Sequence, residues 1–359
     1  MSALERYFNR LWYEDHWQKW LFWPASQLAE RVVNHRRNKA QVSAQKYHED
    51  LENGSENSHA QRNPPVIVIG NLTVGGTGKT PLILFLVNAL QARGLHVGVI
   101  SRGFGGKASY PLSVTRETPA SLSGDEPALI VRRTGVRMVV DPDRARAAKY
   151  LIAQSVAADA PLDLILSDDG MQHYGLQREI EILVVDGARG FGNQRMLPMG
   201  PLREPLDRLE SLRFAVINGS PSPALLKILA EKPRLSVYPM QIQPGKFRRL
   251  GSSETAAPEY FQGREYCQGR ELCALAGIGN PERFFKTLGD LGIHAKKQIF
   301  SDHHHYCEAD LLPFRNDTII MTEKDAVKIQ PSWLNDAWYL SVDAEVTEAL
   351  VSDILSVLP

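Results

Sequence analysis

The stretch Gly70-Asn71-Leu72-Thr73-Val74-Gly75-Gly76-Thr77-Gly78-Lys79-Thr80-Pro81 carries the clearest chemistry in this chain of 359 residues. An apolar run, Val66-Ile67-Val68-Ile69, precedes it, and a helical pattern over Pro81–Leu95 follows. Between a buried strand and a helix, backbone N–H groups can wrap a polyphosphate, and the helix N-terminus favours its negative charge. Gly75, Gly76, Thr77 and Gly78 would supply the cradle. Lys79 would reach the β- and γ-phosphates, and the Thr80 hydroxyl would hold Mg²⁺. The strict phosphate-loop pattern has Gly at position 73, where this chain has Thr73.

Such a loop needs a carboxylate near its metal, just past a buried strand. Asp168 and Asp169 follow Leu164-Ile165-Leu166-Ser167, and the carboxyl ends of parallel strands converge on a phosphate loop. Asp186, after Ile182-Leu183-Val184-Val185, competes; Gln172 and His173 nearby favour the first pair. Asp125, in Gly124-Asp125-Glu126-Pro127, precedes a helical stretch, where a helix cap and a reacting carboxylate are both compatible with its type. Asp302-His303-His304-His305-Tyr306 concentrates imidazoles. Adjacent residues point in different directions, so a general-base partner or a solvated loop fits better than a metal site. Arg189, Arg195 and Arg203, with Glu204, lie in the Gly- and Pro-containing stretch 186–205. Long loops of this kind are often functional, and arginine forks suit phosphate oxygens; the bland alternative is a solvated charged loop.

The elements that must position these residues read as an alternation. Short apolar strands are expected at 66–69, 96–100, 136–140, 163–166, 180–185 and 214–217. Helices fall between them near 126–133 and 144–154. Continuous apolar strands between helices predict a parallel sheet covered on both faces. A second alternation, with strands at 272–278, 317–321 and 338–342 and a helix at 281–288, predicts a smaller α/β domain. The expected division is 1–40 amphipathic helices, 41–63 polar linker or loop, 64–240 phosphate-loop domain and 241–359 smaller domain.

Lys plus Arg equals Asp plus Glu, 41 each, so no global basic field points to nucleic acid. Cys267, Cys273 and Cys307 form no C-x-x-C pair, which argues against a disulfide framework and suits a reducing compartment. No apolar run approaches the length of a membrane span. Residues 1–40 stand apart: Trp12, Trp17, Trp20 and Trp23 lie there among seven Lys/Arg and four Asp/Glu. Aromatics interleaved with basic residues on short helices fit the headgroup layer of a bilayer, with packing on the protein's own core as the alternative. Pro24 is expected to break the segment into two helices.

Taken in order, the motifs resemble the tetraacyldisaccharide 4′-kinase (lipid A 4′-kinase) family. They are the phosphate loop, Ser101-Arg102-Gly103-Phe104-Gly105-Gly106, Gly124-Asp125-Glu126-Pro127, Asp168-Asp169-Gly170-Met171-Gln172-His173, Gly200-Pro201-Leu202-Arg203-Glu204-Pro205 and Asp302-His303. The resemblance implies a P-loop NTPase-like fold and a peripheral enzyme on the cytoplasmic face of the inner membrane, attached through residues 1–40. It implies transfer of phosphate from ATP, with Mg²⁺, to the 4′-hydroxyl of a tetraacylated glucosamine disaccharide 1-phosphate. By the same resemblance Asp125 is the base for the sugar hydroxyl and His303 its partner, with His304 a lesser possibility. Asp168 and Asp169 are the acidic pair, Arg203 and Glu204 the charged pair near the phosphates, and Thr80, Asp168 and Glu204 the metal-side residues. Phe104 departs from the family's usual Tyr. The rival reading, a membrane-associated nucleotide-switch ATPase, expects a Lys before the paired glycines; this chain has Val74.

Overall fold

Val66–Gly70 (β1) is buried along its whole length, as a strand covered on both faces must be. The computed structural model describes residues 3–14, 16–53, 63–263, 266–267 and 270–358. Further strands are β2 (Val97–Ser101), β3 (Leu112–Val114), β4 (Arg137–Val140), β5 (Leu164–Asp168), β6 (Ile180–Asp186), β7 (Phe214–Asn218) and β8 (Ser236–Arg249). They continue as β9 (Thr255–Ala256), β10 (Tyr266–Cys267), β11 (Arg270–Ala276), β12 (Lys296–Ile299), β13 (Thr318–Thr322) and β14 (Asp336–Val346).

All belong to one sheet of order β10-β11-β13-β14-β8-β7-β6-β1-β5-β2-β4-β3, with β12 on β11 and β9 on β8. From β8 to β4 the pairing is parallel; β3 joins the edge antiparallel. β1 lies between β5 and β6; the chain runs from β1 out past β5 to β2, and later from β5 across β1 to β6, which makes the carboxyl end of β1 a topological switch point, the place where open α/β sheets bind ligands. Alternate residues of β1 feed opposite cores. Ile67 and Ile69 pack with the helices Lys79–Ala92, Asp125–Thr134 and Glu348–Ser356; Val66 and Val68 pack with Arg144–Ala157 and Pro223–Ala230.

Two expectations about organisation change. The division at 240/241 falls inside β8, which pairs parallel with β7 and antiparallel with β14 and so joins both halves of the sheet. The C-terminal helix also returns to the first half, burying Leu350, Val351 and Ile354 beside Leu82 and Leu86. The stretch expected as a linker is helical as far as the structure describes it: one helix runs Trp23–Asn53, and residues 54–62 lie outside the described ones. Pro24 sits in the first turn of this helix, where its missing N–H costs nothing, just past the change from the 3₁₀ helix Trp17–Phe22.

The N-terminal segment lies on the stretch 190–207. Leu11 is buried, the Trp12 indole N–H donates to the Pro198 carbonyl at 3.0 Å, and the Ser26 hydroxyl donates to the Met196 carbonyl at 2.9 Å. Arg37 pairs with Asp207 at 3.0 Å. Other aromatics of the segment stay outside: Trp17 is 67% exposed, Trp20 55%, Leu21 68% and Trp23 48%.

Candidate active site

The helix Lys79–Ala92 begins directly after Gly78, whose φ of 102° only glycine adopts freely. A Cβ there would also stand 2.7 Å from the Asn218 amide nitrogen, at the carboxyl end of β7. That amide instead donates to the Thr77 carbonyl at 3.0 Å and braces the loop from below. Asn71, buried at the end of β1, braces it from within: its amide donates to the carbonyls of Thr73 at 2.6 Å and Gly75 at 3.3 Å, while its oxygen accepts from Lys79 at 3.2 Å. Gly75 and Gly76 are exposed at the mouth.

Asp168 ends β5 beside this loop and is buried. The Ser101 hydroxyl at the end of β2 donates to its Oδ2 at 3.1 Å, whereas its Oδ1 is buried with no hydrogen-bond partner among the described residues. Burial, then the negative charge of Glu126, pushes the Asp168 carboxyl up to about 7. Asp169 adopts a left-handed φ of 49°, a conformation that short polar side chains tolerate best, and so turns away from its neighbour. It receives both Arg203 nitrogens, at 2.7 and 3.1 Å, and pairs with Lys79 at 3.4 Å. Burial opposes its ionisation, but Arg203 and Lys79 hold it well below the usual carboxylate range. The two aspartates therefore differ in kind: one is an open oxygen at the loop, the other an anchor for two cations.

Glu204 stands apart from that pair. Its carboxylate is fully buried and accepts from Gln172 at 2.6 Å, Tyr174 at 2.8 Å and Arg208 at 3.1 Å. Both oxygens are engaged by these donors, which hold the carboxylate beside Gln172. Asp186, the competing carboxylate, accepts the Arg189 backbone N–H at 3.0 Å and pairs with its guanidinium at 3.3 Å. Arg195 donates its backbone N–H to Asn193.

The other side of the site comes from two distant segments. Asp125 is the first residue of the helix Asp125–Thr134, with Gly124 in the capping place, so its carboxylate is not spent as a cap. It meets His303 Nδ1 at 3.1 Å. His303 has a left-handed φ of 54°, strain of a kind that clusters at functional sites, and the Asp125 hydrogen bond raises its pKa against burial. The three histidines diverge: His304 turns to Asp310 at 3.1 Å, and His305 lines a cleft of about 1150 Å³ behind Asp125. The Phe104 and His303 rings meet at a steep angle with centroids 5.2 Å apart, so this position gives the imidazole an aromatic contact in place of a hydroxyl.

Glu126 joins the two sides. Lys324, with which it forms an ion pair, holds its carboxyl down at about 2 against burial, helped by Lys79 and His303. His173 is pushed down to about 4 by burial and by Arg144 and Arg102, so it is neutral at pH 7. Sequence reasoning missed Asn71, Asn218 and Lys324. The first two were findable as polar residues ending apolar strands; Lys324 carries no such signal.

A glycine loop at the switch point of a parallel sheet, with a strand-end aspartate beside it, defines a P-loop protein, here with a carboxylate–histidine pair on the far side of the loop. A sequence model of the family described as Tetraacyldisaccharide-1-P 4'-kinase matches residues 18–359. The tetraacyldisaccharide 4'-kinase of Hahella chejuensis is 42% identical over 343 residues, 95% of this chain and 93% of the relative. That of Pseudomonas aeruginosa is 43% identical over 354 residues, 98% of this chain and 96% of the relative. The crystal structure of LpxK from Aquifex aeolicus in complex with ATP superposes with a TM-score of 0.71 at 24% identity, covering 95% of this chain and 99% of that one. The chain belongs to the tetraacyldisaccharide-1-P 4'-kinase family.

Proposed function

We propose that the protein transfers the γ-phosphoryl group of ATP to the 4′-hydroxyl of a tetraacyldisaccharide 1-phosphate, as the names of its relatives state for them. The observation that carries the reading is the Asp125–His303 pair, 3.1 Å across, beside Glu126, which is near enough to both Lys79 and His303 to feel their charge. The loop N–H groups and Lys79 hold the triphosphate, and Asp169 with Asn71 fixes Lys79 in place. Arg203, gripped by Asp169, adds a second cation near the transferring group. Asp125 takes the proton of the sugar hydroxyl as its oxygen bonds to phosphorus; the bond from phosphorus to the β–γ bridging oxygen breaks, and ADP leaves. His303 orients the Asp125 carboxylate.

Mg²⁺ fits the residues present, since the unpartnered buried Oδ1 of Asp168 is the donor such an ion takes. Asp168 and Thr80 would hold it, and when bound it offsets the charge on the phosphates.

The acceptor is a lipid, and the N-terminal segment gives the protein a way to reach it. Trp17, Trp20, Leu21 and Trp23 make an exposed apolar ridge backed by a docked face, and among the described residues no helix is long and apolar enough to cross a membrane. We read attachment as peripheral, on the cytoplasmic face of the inner membrane, with the ridge in the headgroup layer.

The test is transfer of labelled phosphate from ATP to a defined tetraacyldisaccharide 1-phosphate in mixed micelles. Labelled lipid is the expected product. ATP hydrolysis without labelled lipid would instead favour the nucleotide-switch reading.

A further inference from the structure

We propose that Arg189 is a positioning residue for the phosphate loop, and that Tyr13 of the N-terminal helix holds it there. The Arg189 guanidinium donates to the Gly76 carbonyl at 2.5 Å and pairs with Asp186, at the carboxyl end of β6, at 3.3 Å. Its Nη1 lies 3.0 Å from where a Cβ on Gly75 would stand. One side chain therefore spans from the rigid end of a buried strand to the two exposed glycines of the loop mouth. Apart from the Asn71 amide on the Gly75 carbonyl at 3.3 Å, the Gly75–Gly76 segment is open, and a Cβ on Gly76 would meet nothing within 4 Å. Exposed glycines are the most conformationally free of residues, so a charge-assisted hydrogen bond to the Gly76 carbonyl lowers the cost of ordering the cradle around a triphosphate.

Arg189 is in turn held from the N-terminal segment. Its guanidinium carbon lies 6.0 Å from the centre of the Tyr13 ring, at the outer reach of a cation–π contact. Tyr13 is the last residue of the helix Ala3–Tyr13. The same helix end is clamped to the loop that carries Arg189. The Asn193 N–H donates to the Trp12 carbonyl at 2.8 Å, and its amide donates to the Leu11 carbonyl at 3.3 Å. A Cβ on Gly192 would stand 2.8 Å from the Trp12 carbonyl oxygen. Further along, this loop is stitched to the phosphate loop, with the Val74 N–H donating to Pro201 at 2.9 Å and the Arg203 N–H to Leu72 at 2.7 Å. The segment that bears the exposed aromatic ridge is thus connected to the nucleotide cradle through one continuous loop, with Arg189 as the side-chain contact.

The inference rests on ATP binding at the phosphate loop, and the experiment separates the two. Affinity for a non-hydrolysable ATP analogue with Mg²⁺ is measured by calorimetry, with melting temperature, on the full chain carrying Arg189→Ala, Arg189→Lys, Tyr13→Ala, Tyr13→Ala with Arg189→Ala, or Lys79→Ala. Arg189→Ala should weaken affinity roughly tenfold, the scale of one lost charged hydrogen bond. In turnover this appears as a raised KM for ATP with kcat nearly kept. Arg189→Lys, which keeps the charge but loses the fork, should recover less than half of the loss. Tyr13→Ala should weaken affinity roughly threefold, and the double variant should bind no more weakly than Arg189→Ala alone, because Tyr13 acts through Arg189. Unchanged affinity in Arg189→Ala beside a clear loss in Lys79→Ala overturns the role of Arg189 and leaves the nucleotide site standing. Unchanged affinity in both overturns the phosphate-loop reading and this inference with it. Multiplying losses in the double variant overturn the part assigned to Tyr13.

Discussion

The two sides of the site are built differently. The nucleotide side is assembled at the carboxyl ends of parallel strands: the loop after β1, Asp168 ending β5, Ser101 ending β2 and Asn218 ending β7 all belong to one sheet. Its side chains brace one another through short hydrogen bonds before any ligand arrives. The acceptor side joins residues 178 apart in sequence, Asp125 at a helix start and His303 in a strained turn, with Lys328 3.7 Å from the same carboxylate. The carboxyl ends of buried strands supply the rigidity that a triphosphate needs in every turnover. A contact between two segments can part and re-form, which suits a bulky acceptor that must enter and leave.

That contrast sorts the expected effects. Asp125→Ala should show the largest loss, about 10²–10⁴-fold in turnover, with ATP affinity kept, because it removes only the base for the acceptor hydroxyl. Lys79→Ala should cost about 10²–10³-fold in turnover and should also weaken ATP binding, because it empties the cradle of its cation. If Asp125→Ala lost ATP affinity as well, the two sides would not be separable. Changing Trp17, Trp20 and Trp23 together to Ser should lower partition onto lipid vesicles by roughly 10²-fold in a flotation assay, given the apolar area each would bury. Vesicle binding equal to wild type would leave the ridge without a role. The smallest effect concerns pH. The His303 pKa is raised above its ordinary 6.5 by Asp125. The stability of the pair is therefore complete below that value and is lost as pH rises through the raised one. The melting-temperature gap between wild type and His303→Ala should be widest below the ordinary value and narrow as pH rises through the raised one; a gap that widens with pH would mean the pair gains nothing from protonation.

How much of this was legible in the sequence follows the same contrast. The phosphate loop was readable because its chemistry is contiguous and flanked by a strand and a helix. The acidic pair at 168 and 169 was readable as strand-end carboxylates, although their opposite roles depend on the left-handed turn at Asp169 and on Arg203, which no local pattern specifies. Asp125 and His303 could be paired only through the family resemblance, since nothing local links them. The surroundings of Glu204 were not legible because its partners Gln172, Tyr174 and Arg208 come from separate segments. β8 was missed because Pro239 and Pro244 interrupt its pattern. Pro239 lies opposite Ile217 of β7, and Pro244 opposite Val342 beside the β14 bulge, a place where a missing ladder N–H is tolerated. The helical stretch 41–53 was hidden by its polar composition, which reads as a loop when no apolar face is present.

The central claim is that Asp125 and His303 act as one catalytic unit on the acceptor side. Turnover, ATP affinity and melting temperature measured on wild type, Asp125→Ala, His303→Ala and the double variant test it most directly. The account predicts that the double variant is little slower than the worse single one, with ATP affinity nearly unchanged in all four proteins. Rate losses that multiply, or that merely follow a fall in melting temperature, would contradict it.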